Sequence, residues 1–521
     1  MKNIYLTGFM GSGKSTTGRL ISKMLRVDFV DTDDLISGKY GIPVNEIFLA
    51  HGEESFRNAE TSVLKKLSRK NNLVVATGGG VCERPENLQI MNESGTAFFL
   101  DAGLDEIASR LGTCEIDRRP LWQDAAQVED LYKKRHNNYL SYGQRIDVDG
   151  QAVLSVANSI CASVSPEKDY TVNYEGHPGQ VKAVWNGPSY VMKYAGGRRA
   201  VVLTDRTVER LHLDRYLEVL NNPPVISLKP GEKSKTLKTA GFIYDKLLDA
   251  KIGRVDLLIA IGGGVITDIG GFVASTYKRG IDFILVGTTL VAGVDAAIGG
   301  KSAIDHANVK NSVGLFTKPL VTILDIASLS TLARKQVSEG LIEAYKTGLV
   351  SNPDLCSYME DNVRRLMSGS VIELAEAMKA SAGAKCKVVT EDFREKNVRR
   401  ILNFGHTYGH AVESFNNYTI SHGASVAQGM LVAIAISLAR RFIDDETSGR
   451  ASRLIRKMAP SPVNLPSAAQ AWQIMLNDKK NTNGKIAFVL LHGLGKCEVV
   501  DNVTPEELDS AINHIRKNGN E

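Results

Sequence analysis

A glycine-rich loop near the start of the chain has residues spaced to hold phosphate groups. It runs from Gly8 to Ser15 and reads Gly-Phe-Met-Gly-Ser-Gly-Lys-Ser. Glycines let consecutive backbone N–H groups face phosphate oxygens, the lysine neutralises the outer phosphates, and the following hydroxyl reaches Mg²⁺. A chance glycine-rich turn is the alternative. An apolar strand before the loop and a helical stretch after it are the context that phosphate binding requires, so the segment predicts a nucleotide site.

A second group of residues, far along the chain, has the types and spacing of a metal site. His406 and His410 are four apart on a predicted helix, hence on one face, and His422 begins the next helical stretch. Glu343 and Lys346 are three apart on another helix. One glutamate and two histidines form an open Zn²⁺ site that leaves room for substrate oxygens. Spacing does not decide which two histidines bind metal, and a buried structural histidine is the alternative.

Further polar positions could complete a site around the glycine loop. Asp31 and Asp33 end a predicted strand, Arg57 lies in a helical stretch, and Gly78–Gly80 follows a buried strand. Arg119 lies in a polar stretch that could form a lid. Each has a simpler alternative. Asp31 and Asp33 could be solvated turn carboxylates, and Arg57 could be an exposed helix arginine. Gly78–Gly80 could be a tight turn, and Arg119 could belong to a solvated charge pair.

In the second half of the chain, a glycine triplet and several lysines favour anionic ligands. Gly262–Gly264 follows a buried apolar strand and could bring a pyrophosphate close to a helix N-terminus, although the spacing is not Gly-x-Gly-x-x-Gly. Lys235, Lys301 and Lys310 lie near glycine turns. Such lysines are usually solvated, and their clustering is what favours anion binding.

Composition and charge narrow the class of protein. The chain has 521 residues, 43% of them apolar and 23% charged, with a formal net charge of +5. These values are typical of a soluble protein of several domains. No Lys/Arg block with interleaved aromatic residues is present, which disfavours nucleic acid and favours small anionic substrates.

Cysteine usage and hydropathy indicate a cytoplasmic protein. The six cysteines are far apart and form no Cys-x-x-Cys pair, as expected for reduced thiols. No apolar run approaches the ~20 residues of a membrane span. The chain enters a strand directly after Met1 and leaves no room for a signal peptide, so no membrane association is expected.

Strands that alternate with helical stretches predict an α/β fold in each half. The first half predicts a parallel sheet like that of phosphate-loop nucleoside-monophosphate kinases. The second predicts a Rossmann-like α/β domain followed by a mainly helical, metal-binding domain. The predicted boundaries are residues 1–162 for the first domain, 163–172 for a linker, 173–327 for the α/β domain and 328–521 for the helical domain.

Residues 1–160 resemble shikimate kinase. The matching motifs, in the order of that family, are Gly8 to Ser15, Asp31-x-Asp33, Phe56-Arg57 with Glu60, Ala76 to Gly80, Arg119-Pro120-Leu121 and Arg135 before Tyr139. Ser141-Tyr142-Gly143 departs from the family, which usually has an acidic residue and an alanine there.

This resemblance implies ATP-dependent phosphorylation of shikimate. Two arginines would clamp its carboxylate, which a planar guanidinium suits better than an ammonium group. Mg²⁺ would be held by Ser15 and, through water, by Asp31. The implied catalytic residues are Lys14, Asp33 and Arg119. The implied shikimate-binding residues are Asp33, Arg57, Gly79 and Arg135. The implied ATP-binding residues are Gly11, Ser12, Gly13, Lys14, Ser15, Thr16 and Arg119.

Residues 170–521 resemble 3-dehydroquinate synthase. The matching stretches include Gly262 to Asp268, Thr288-Thr289-Leu290, Ile298 to Lys301, Lys310-Asn311, Glu343 with Lys346, Leu402 to Glu413, His422-Gly423 and Asp478-Lys479-Lys480. Departures are Gly287 in place of Pro, Ala296-Ala297 in place of serines, Phe393 in place of an acidic residue and Ala424 in place of Glu.

The resemblance assigns Glu343, His406 and His422 to Zn²⁺ or Co²⁺, and makes His410 a substrate contact. Lys301, Lys346 and His410 would be catalytic. The implied substrate residues are Asp295, Asn311, Lys346, Lys385, Arg399, Asn403, His410, Lys480 and, from a neighbouring subunit, Arg279. The implied NAD⁺-binding residues are Asp205, Glu232, Lys235, Gly263, Gly264, Val265, Asp268, Thr288, Thr289, Lys301, Lys310, Ser328 and Thr331.

The leading hypothesis is therefore a bifunctional enzyme that joins a kinase to a synthase and forms homodimers through the synthase half. In the synthase family, NAD⁺ oxidises one alcohol of 3-deoxy-D-arabino-heptulosonate 7-phosphate, phosphate is eliminated, the hydride returns, and an aldol closure gives 3-dehydroquinate. A metal-dependent polyol dehydrogenase is the alternative for the second half, although its substrate would not need so many cations. A non-catalytic scaffold is the alternative for either half.

Overall fold

The structure is a computed structural model that describes residues 1–116, 125–307, 309–459, 463–476 and 486–517. The chain forms two compact units, Met1–Pro166 and Glu167–Glu521.

The first unit is built on a five-stranded parallel sheet with the order β2-β3-β1-β4-β5. The strands are β1 (Asn3–Thr7), β2 (Asp28–Asp31), β3 (Leu73–Ala76), β4 (Gly95–Asp101) and β5 (Gln144–Asp147). Because β2, β3 and β1 are neighbours, the three motifs that follow them meet at one edge of the sheet.

The helices of this unit pack around that sheet. They are α1 (Lys14–Leu25), α2 (Thr32–Tyr40), α3 (Val44–Leu67), α4 (Pro85–Ser94), α5 (Leu104–Ile116), α6 (Ala125–Leu140) and α7 (Val153–Val164). Gly13 precedes α1 with φ of 92°, a left-handed conformation that other residues rarely adopt. The turn therefore needs glycine to lead the chain from the phosphate loop into the helix.

The second unit begins with a seven-stranded sheet of order β6-β7-β14-β11-β10-β8-β9. All neighbouring strands are parallel except the antiparallel pair β6–β7. The strands are β6 (Lys168–Tyr174), β7 (His177–Val184), β8 (Ala200–Asp205), β9 (Val225–Leu228), β10 (Leu257–Gly262), β11 (Asp282–Gly287) and β14 (Val321–Asp325). A separate hairpin pairs β12 (Lys301–His306) with β13 (Val309–Phe316), and another pairs β15 (Phe488–Leu491) with β16 (Cys497–Val500).

Both faces of the large sheet are covered, which explains its continuous apolar strands. In β10, Leu258 and Ala260 pack in one core cluster, whereas Leu257, Ile259 and Ile261 pack in the cluster on the opposite face. The covering helices are α8 (Gly187–Ala195), α9 (Arg206–Val208), α10 (Asp214–Val219), α11 (Leu237–Asp249) and α12 (Gly264–Thr276).

The rest of the second unit is mainly helical. Its helices are α13 (Arg334–Ser351), α14 (Pro353–Ser368), α15 (Val371–Glu391), α16 (His406–Phe415), α17 (His422–Ala439), α18 (Asp445–Met458), α19 (Ala468–Leu476) and α20 (Pro505–Lys517). Among the described residues, α17 alone is long and apolar enough to cross a membrane, but 78% of its residues are buried inside the protein. It is therefore a core helix.

Two local predictions differ from the structure. The predicted linker, residues 163–172, overlaps the end of α7 and most of β6, which pairs with β7. Only alternate residues of β6, Val172 and Tyr174, are buried, so the polar residues between them concealed the strand. Asp33 was predicted at a strand end, but it lies in the first turn of α2, where its N–H donates to the side chain of Asp31.

Candidate active sites

The phosphate loop joins β1 to α1 and carries two anchored side chains. The Nζ of Lys14 donates to the carbonyl oxygens of Gly8 and Phe9 at 2.8 and 2.9 Å. The hydroxyl of Ser15 donates to Asp31 at 2.6 Å. The loop therefore places an ammonium group, a hydroxyl and a carboxylate together at the N-terminus of a helix, which suits phosphates and a divalent cation. Gly11 and Gly13 have positive φ, Ser12 is buried, and Thr16 is exposed on α1.

A polar cluster, formed by Asp33, Arg57 and Glu60, packs against the glycine triplet that follows β3, beside this loop. A Cβ at Gly78 would lie 2.6 Å from both Asp33 Oδ1 and Glu60 Oε1. Within the described part of the chain, neither oxygen has a hydrogen-bond partner. Arg57, on α3, donates to Glu60 and to Glu53 at 3.1 Å each. The two carboxylate oxygens therefore approach the triplet as closely as only glycine allows.

Burial raises the pKa of both carboxyl groups of the polar cluster, Asp33 and Glu60. It raises the pKa of Asp33 to about 6, and the charge of nearby Asp31 adds to the effect. It also raises the pKa of Glu60 to about 7, against the opposing charge of Arg57. Such acids accept hydrogen bonds from ligand hydroxyls and exchange protons near neutral pH.

A second arginine reaches the glycine triplet from α6. Arg135 donates from Nε to Glu83 at 2.7 Å, and its Nη1 lies 3.9 Å from the position that a Cβ of Gly79 would occupy. Tyr139 on the same helix donates to the carbonyl of Gly79. Arg57 and Arg135 therefore reach the glycine triplet from different helices. Arg119 lies outside the described residues.

Arg110 is a residue near the nucleotide loop that the sequence analysis missed. It donates to the carbonyl oxygens of Ser12 at 3.4 Å and Val148 at 2.7 Å. Nothing in the sequence around it signals this position, because the contact joins α5 to a loop far away in the chain.

In the second unit, the structure brings Glu343, His406 and His422 together. Their ligand atoms all lie within 4.8 Å of one another, Glu343 being buried and the histidines half-buried. Glu343 comes from α13, while the two histidines begin α16 and α17. His410 lies one turn further along α16, with its ring 5.5 Å from that of His406.

Charged groups surround this cluster. The Nζ of buried Lys346 lies 2.6 Å from Glu343 and 4.0 Å from Asp295, and Lys385 contacts Asp295 directly. Burial alone would raise the pKa of Asp295, but the two lysines hold it well below its usual range. Arg399, also buried, donates to the carbonyl of Phe393. The region is therefore rich in ionised groups.

Glu413 is a second residue that the sequence analysis did not assign to the site. It lies on α16 and contacts Nδ1 of His422 at 3.2 Å, while Nε2 of that ring lies 3.1 Å from Glu343. The hydrogen bonds with the two glutamates outweigh burial and raise the pKa of His422 to about 10. Lys310 lies 3.3 Å from the same carboxylate. Helical spacing could have indicated Glu413, seven residues after His406.

The predicted dinucleotide residues follow four adjacent strands. Asp205 ends β8, Gly263 and Gly264 follow β10, Thr288 and Thr289 follow β11, and Ser328 and Thr331 follow β14. Gly263 caps α12, which also carries Val265 and Asp268. Because the carboxyl ends of parallel strands meet at one edge, these groups line one crevice.

Side chains from the hairpin and from the loop after β9 complete that crevice. Lys235 contacts Asp268 and Asn311, and Glu232 lies 3.9 Å from Lys235. Lys301 contacts Glu395, which also accepts a hydrogen bond from Asn403 at 2.6 Å. Arg279 follows α12 with φ of 67°. Lys480 lies outside the described residues.

The fold and these sites define two classes of enzyme, a phosphate-loop kinase and a Rossmann-like enzyme with a carboxylate–histidine cluster. The shikimate kinase family matches residues 10–165. The N-terminal and C-terminal families of 3-dehydroquinate synthase match residues 225–339 and 340–481.

Individual relatives agree with this division. A bifunctional shikimate kinase/3-dehydroquinate synthase of Thermotoga maritima is 33% identical over 97% of this chain and 99% of its own. A 3-dehydroquinate synthase of Pseudomonas entomophila is 37% identical over 62% of this chain and 90% of its own. A 2-epi-5-epi-valiolone synthase of Streptomyces hygroscopicus, solved with NAD⁺ and Zn²⁺, shares the fold of the second unit with a TM-score of 0.62 and 22% identity, over 66% of this chain and 99% of that one.

The chain belongs to the family of bifunctional shikimate kinase/3-dehydroquinate synthases. Shikimate kinase and 3-dehydroquinate synthase are therefore its two activities, as the sequence motifs predicted.

Proposed function

We propose that the first unit transfers a phosphoryl group from ATP to shikimate with Mg²⁺. We propose that the second converts 3-deoxy-D-arabino-heptulosonate 7-phosphate to 3-dehydroquinate with release of phosphate, using NAD⁺ and Zn²⁺ or Co²⁺. The observation that carries this proposal is that each unit has its own polar centre with the groups its reaction needs.

In the kinase, Lys14 and Arg119 neutralise the outer phosphates of ATP. Ser15 and Asp31 hold Mg²⁺. The remaining ATP contacts come from the loop and from α1, through Gly11, Ser12, Gly13 and Thr16. Most of the rate enhancement in phosphoryl transfer comes from such positioning and charge stabilisation.

The polar cluster beside the loop, together with Arg135, holds shikimate. Arg57 and Arg135 clamp the carboxylate near Gly79, since guanidinium groups bind carboxylates in a fixed, two-pronged geometry. Asp33 accepts the proton of the attacking hydroxyl at Oδ1, the atom that has no hydrogen-bond partner among the described residues. Its raised pKa suits a base that works near neutral pH.

In the synthase, Glu343, His406 and His422 hold the metal, because a carboxylate and two imidazoles are a suitable donor set for Zn²⁺ or Co²⁺. When bound, NAD⁺ would supply an acceptor and donor of hydride, and the metal would supply a Lewis acid for substrate oxygens. Lys346, His410 and Lys301 are the catalytic side chains. Lys346 stabilises negative charge that develops on the substrate, since its ion pairs keep it charged despite burial.

The proposed substrate contacts surround these catalytic groups. Lys385, Arg399 and Lys480 offset the charges of the phosphate and the carboxylate, with Arg279 joining them from a second subunit. Asp295, Asn311, Asn403 and His410 contact the remaining oxygens.

The crevice at the carboxyl ends of the large sheet holds NAD⁺. Gly263, Gly264 and Val265 at the N-terminus of α12 would hold its pyrophosphate, because backbone N–H groups there attract anions. The buried hydroxyl of Thr288 has no hydrogen-bond partner among the described residues and is available to the dinucleotide. The other proposed contacts are Asp205, Glu232, Lys235, Asp268, Thr289, Lys301, Lys310, Ser328 and Thr331.

Domain limits, assembly and location complete the proposal. The kinase domain spans residues 1–162, the NAD⁺ domain 173–327 and the helical domain 328–521. Residues 163–172 are the linker between the first two domains and include the end of α7 and most of β6. The chain forms a homodimer through the synthase half and works in the cytoplasm, in line with its similarity to soluble biosynthetic enzymes.

Two assays on the purified full chain test this function. We expect ADP formation from ATP that depends on shikimate, and phosphate release from the heptulosonate phosphate that a chelator stops and added Zn²⁺ or Co²⁺ restores. Net consumption of NAD⁺ with polyols and no phosphate release would favour a polyol dehydrogenase. Absence of one reaction under all metal and nucleotide conditions would favour a non-catalytic role for that unit.

A further inference from the structure

Glu83 lies beside the arginine proposed to bind the carboxylate of shikimate. It ends the short 3-10 turn Val81–Glu83 that follows the glycine triplet. Its Oε1 accepts the 2.7 Å hydrogen bond from Nε of Arg135, with the two side chains only 18% and 9% exposed. Lys134 lies 3.6 Å from Oε2 but is 69% exposed. The sheltered partner of Glu83 is therefore Arg135.

The hydrogen bond to Glu83 engages Nε of Arg135 and not its terminal nitrogens. With Nε bound in this way, Nη1 of Arg135 lies 3.9 Å from the position that a Cβ of Gly79 would occupy. The terminal nitrogens of Arg57 lie against Gly80 in the same turn, where they also donate to Glu60 and Glu53. A carboxylate at the triplet would therefore meet a terminal nitrogen of Arg135 and lie close to the positive charge of Arg57, which favours carboxylate binding.

Glu60 is a second acid that could attract the side chain of Arg135. Glu60 is buried, and the charge of Arg135 acts on its carboxyl group. In the part of the chain that the structure describes, Oε1 of Glu60 has no hydrogen-bond partner. An Arg135 side chain without Glu83 would gain by turning towards that oxygen, because an unpaired buried oxygen strongly attracts a cationic donor.

We propose that Glu83 is a positioning residue of the kinase, which holds Nε of Arg135 so that its terminal nitrogens face the carboxylate of shikimate and not Glu60. This inference rests on the proposed shikimate-binding role of Arg135. Glu83 itself does not touch the substrate.

A carboxylate this close to the site also repels the carboxylate of shikimate, so orientation and repulsion act in opposite directions. Two substitutions separate them. Glu83→Gln keeps an oxygen that accepts from Nε but removes the charge, whereas Glu83→Ala removes both. If orientation dominates, Glu83→Ala raises KM for shikimate and Glu83→Gln leaves it nearly unchanged. If repulsion dominates, both substitutions improve binding.

The test measures KM for shikimate, KM for ATP and kcat on the full chain, with KM for ATP as the internal measure of a correctly folded kinase unit and synthase activity as the measure of the amount of protein. We expect Glu83→Ala to raise KM for shikimate about tenfold, the effect of losing one oriented charge-assisted hydrogen bond. We expect Glu83→Gln to stay within about threefold of the parent protein, with KM for ATP unchanged in both. Two matched controls should leave KM for shikimate unchanged. They are Lys134→Ala and Glu129→Gln, and the second removes a surface ion pair with Lys133 on α6.

A double-mutant cycle with Arg135→Ala makes the test decisive. Once Arg135 is absent, Glu83→Ala should change KM for shikimate less than about twofold, because coupled residues are not additive. An equal rise of KM in both backgrounds, or a fall of KM in Glu83→Ala, would overturn the inference alone. An Arg135→Ala protein with unchanged KM would instead overturn the proposed role of Arg135, and this inference with it.

Discussion

Asp33 and Glu60 illustrate how single residues are prepared for chemistry in the kinase unit. Each has an oxygen that no described residue satisfies, and burial raises the pKa of each towards neutrality. An unsatisfied buried carboxyl oxygen lowers the stability of the protein unless a ligand binds it. These atoms therefore mark where the hydroxyl groups of shikimate are expected to bind.

The raised pKa of Asp33 predicts the pH dependence of the kinase. The carboxyl group must be ionised to accept a proton, so kcat/KM for shikimate should rise as pH increases through about 6 and fall below it. A pH–rate profile between about pH 5 and pH 8 with saturating ATP checks this. Asp33→Asn should lose most of the activity, while Asp28→Asn, at an exposed position of β2, should leave the pH dependence of kcat/KM unchanged. A fall of kcat/KM that begins only near the ordinary pKa of aspartate would contradict the prediction.

Glu413 predicts a measurable effect on metal binding. Its carboxylate orients the ring of His422 through Nδ1 and leaves Nε2 towards Glu343. Such partners of metal-binding histidines typically contribute 10–100-fold in affinity, so Glu413→Gln should weaken Zn²⁺ binding by about that factor. Competition with a chromophoric chelator measures it without reference to activity. The control is Glu498→Gln, which removes a carboxylate 3.1 Å from His492, away from the cluster; equal affinity in both variants would refute the role of Glu413.

At the scale of elements, turns after parallel strands position the chemistry in both units. Gly78–Gly80 follows β3 in the first unit, and Gly262–Gly264 follows β10 in the second. Both turns let charged side chains or a helix N-terminus approach closely, because glycine has no side chain to fill the space. Helices supply the histidines of the proposed metal site, since His406 and His422 lie at the N-termini of α16 and α17.

Gly80 offers a test of this arrangement. A Cβ at this position would overlap the terminal nitrogens of Arg57, so Gly80→Ala should displace that side chain and raise KM for shikimate about tenfold or more. Gly38→Ala is a matched control, because nothing lies within 4 Å of its added Cβ and the residue is inside α2. Steady-state kinetics of both variants give the answer. An unchanged KM in Gly80→Ala would mean that Arg57 does not need its present position.

The elements also show what the sequence could predict. Strand–loop–helix patterns are local, so the phosphate loop, the glycine triplets and the beginning of α17 at His422 agreed with the structure. The strand β6 was not predicted because most of its residues are exposed and polar. Its alternation of buried and exposed residues becomes recognisable only when β7 is paired with it. The contacts of Glu83 and Arg110 were equally hidden, since each joins elements that are distant in the chain.

At the scale of the whole molecule, each of the two compact units contains a polar centre built from its own residues. The Pseudomonas relative, which matches 62% of this chain over 90% of its own length, is named for the synthase activity alone. The two reactions are not consecutive in the pathway that the family implies, so transfer of a product between the centres is not expected.

This independence predicts selective losses of activity. Lys14→Ala should reduce shikimate phosphorylation by at least about a hundredfold and leave synthase activity unchanged, because the lysine carries a charge that phosphoryl transfer requires. His406→Ala should lower metal content and synthase activity and spare the kinase. Both reactions are assayed on each variant of the full chain, with metal content measured in parallel. Loss of both reactions in either variant would show that the centres depend on each other.

The position of Lys14 bears on the release of ADP at the end of each kinase cycle. Its ammonium group can exchange phosphate oxygens for the carbonyl oxygens of Gly8 and Phe9, which it contacts in the structure. A departing nucleotide thus leaves behind no unpaired buried cation, which would otherwise draw it back. The same loop that attracts the nucleotide therefore lets it go, and this favours rapid turnover over tight retention of product.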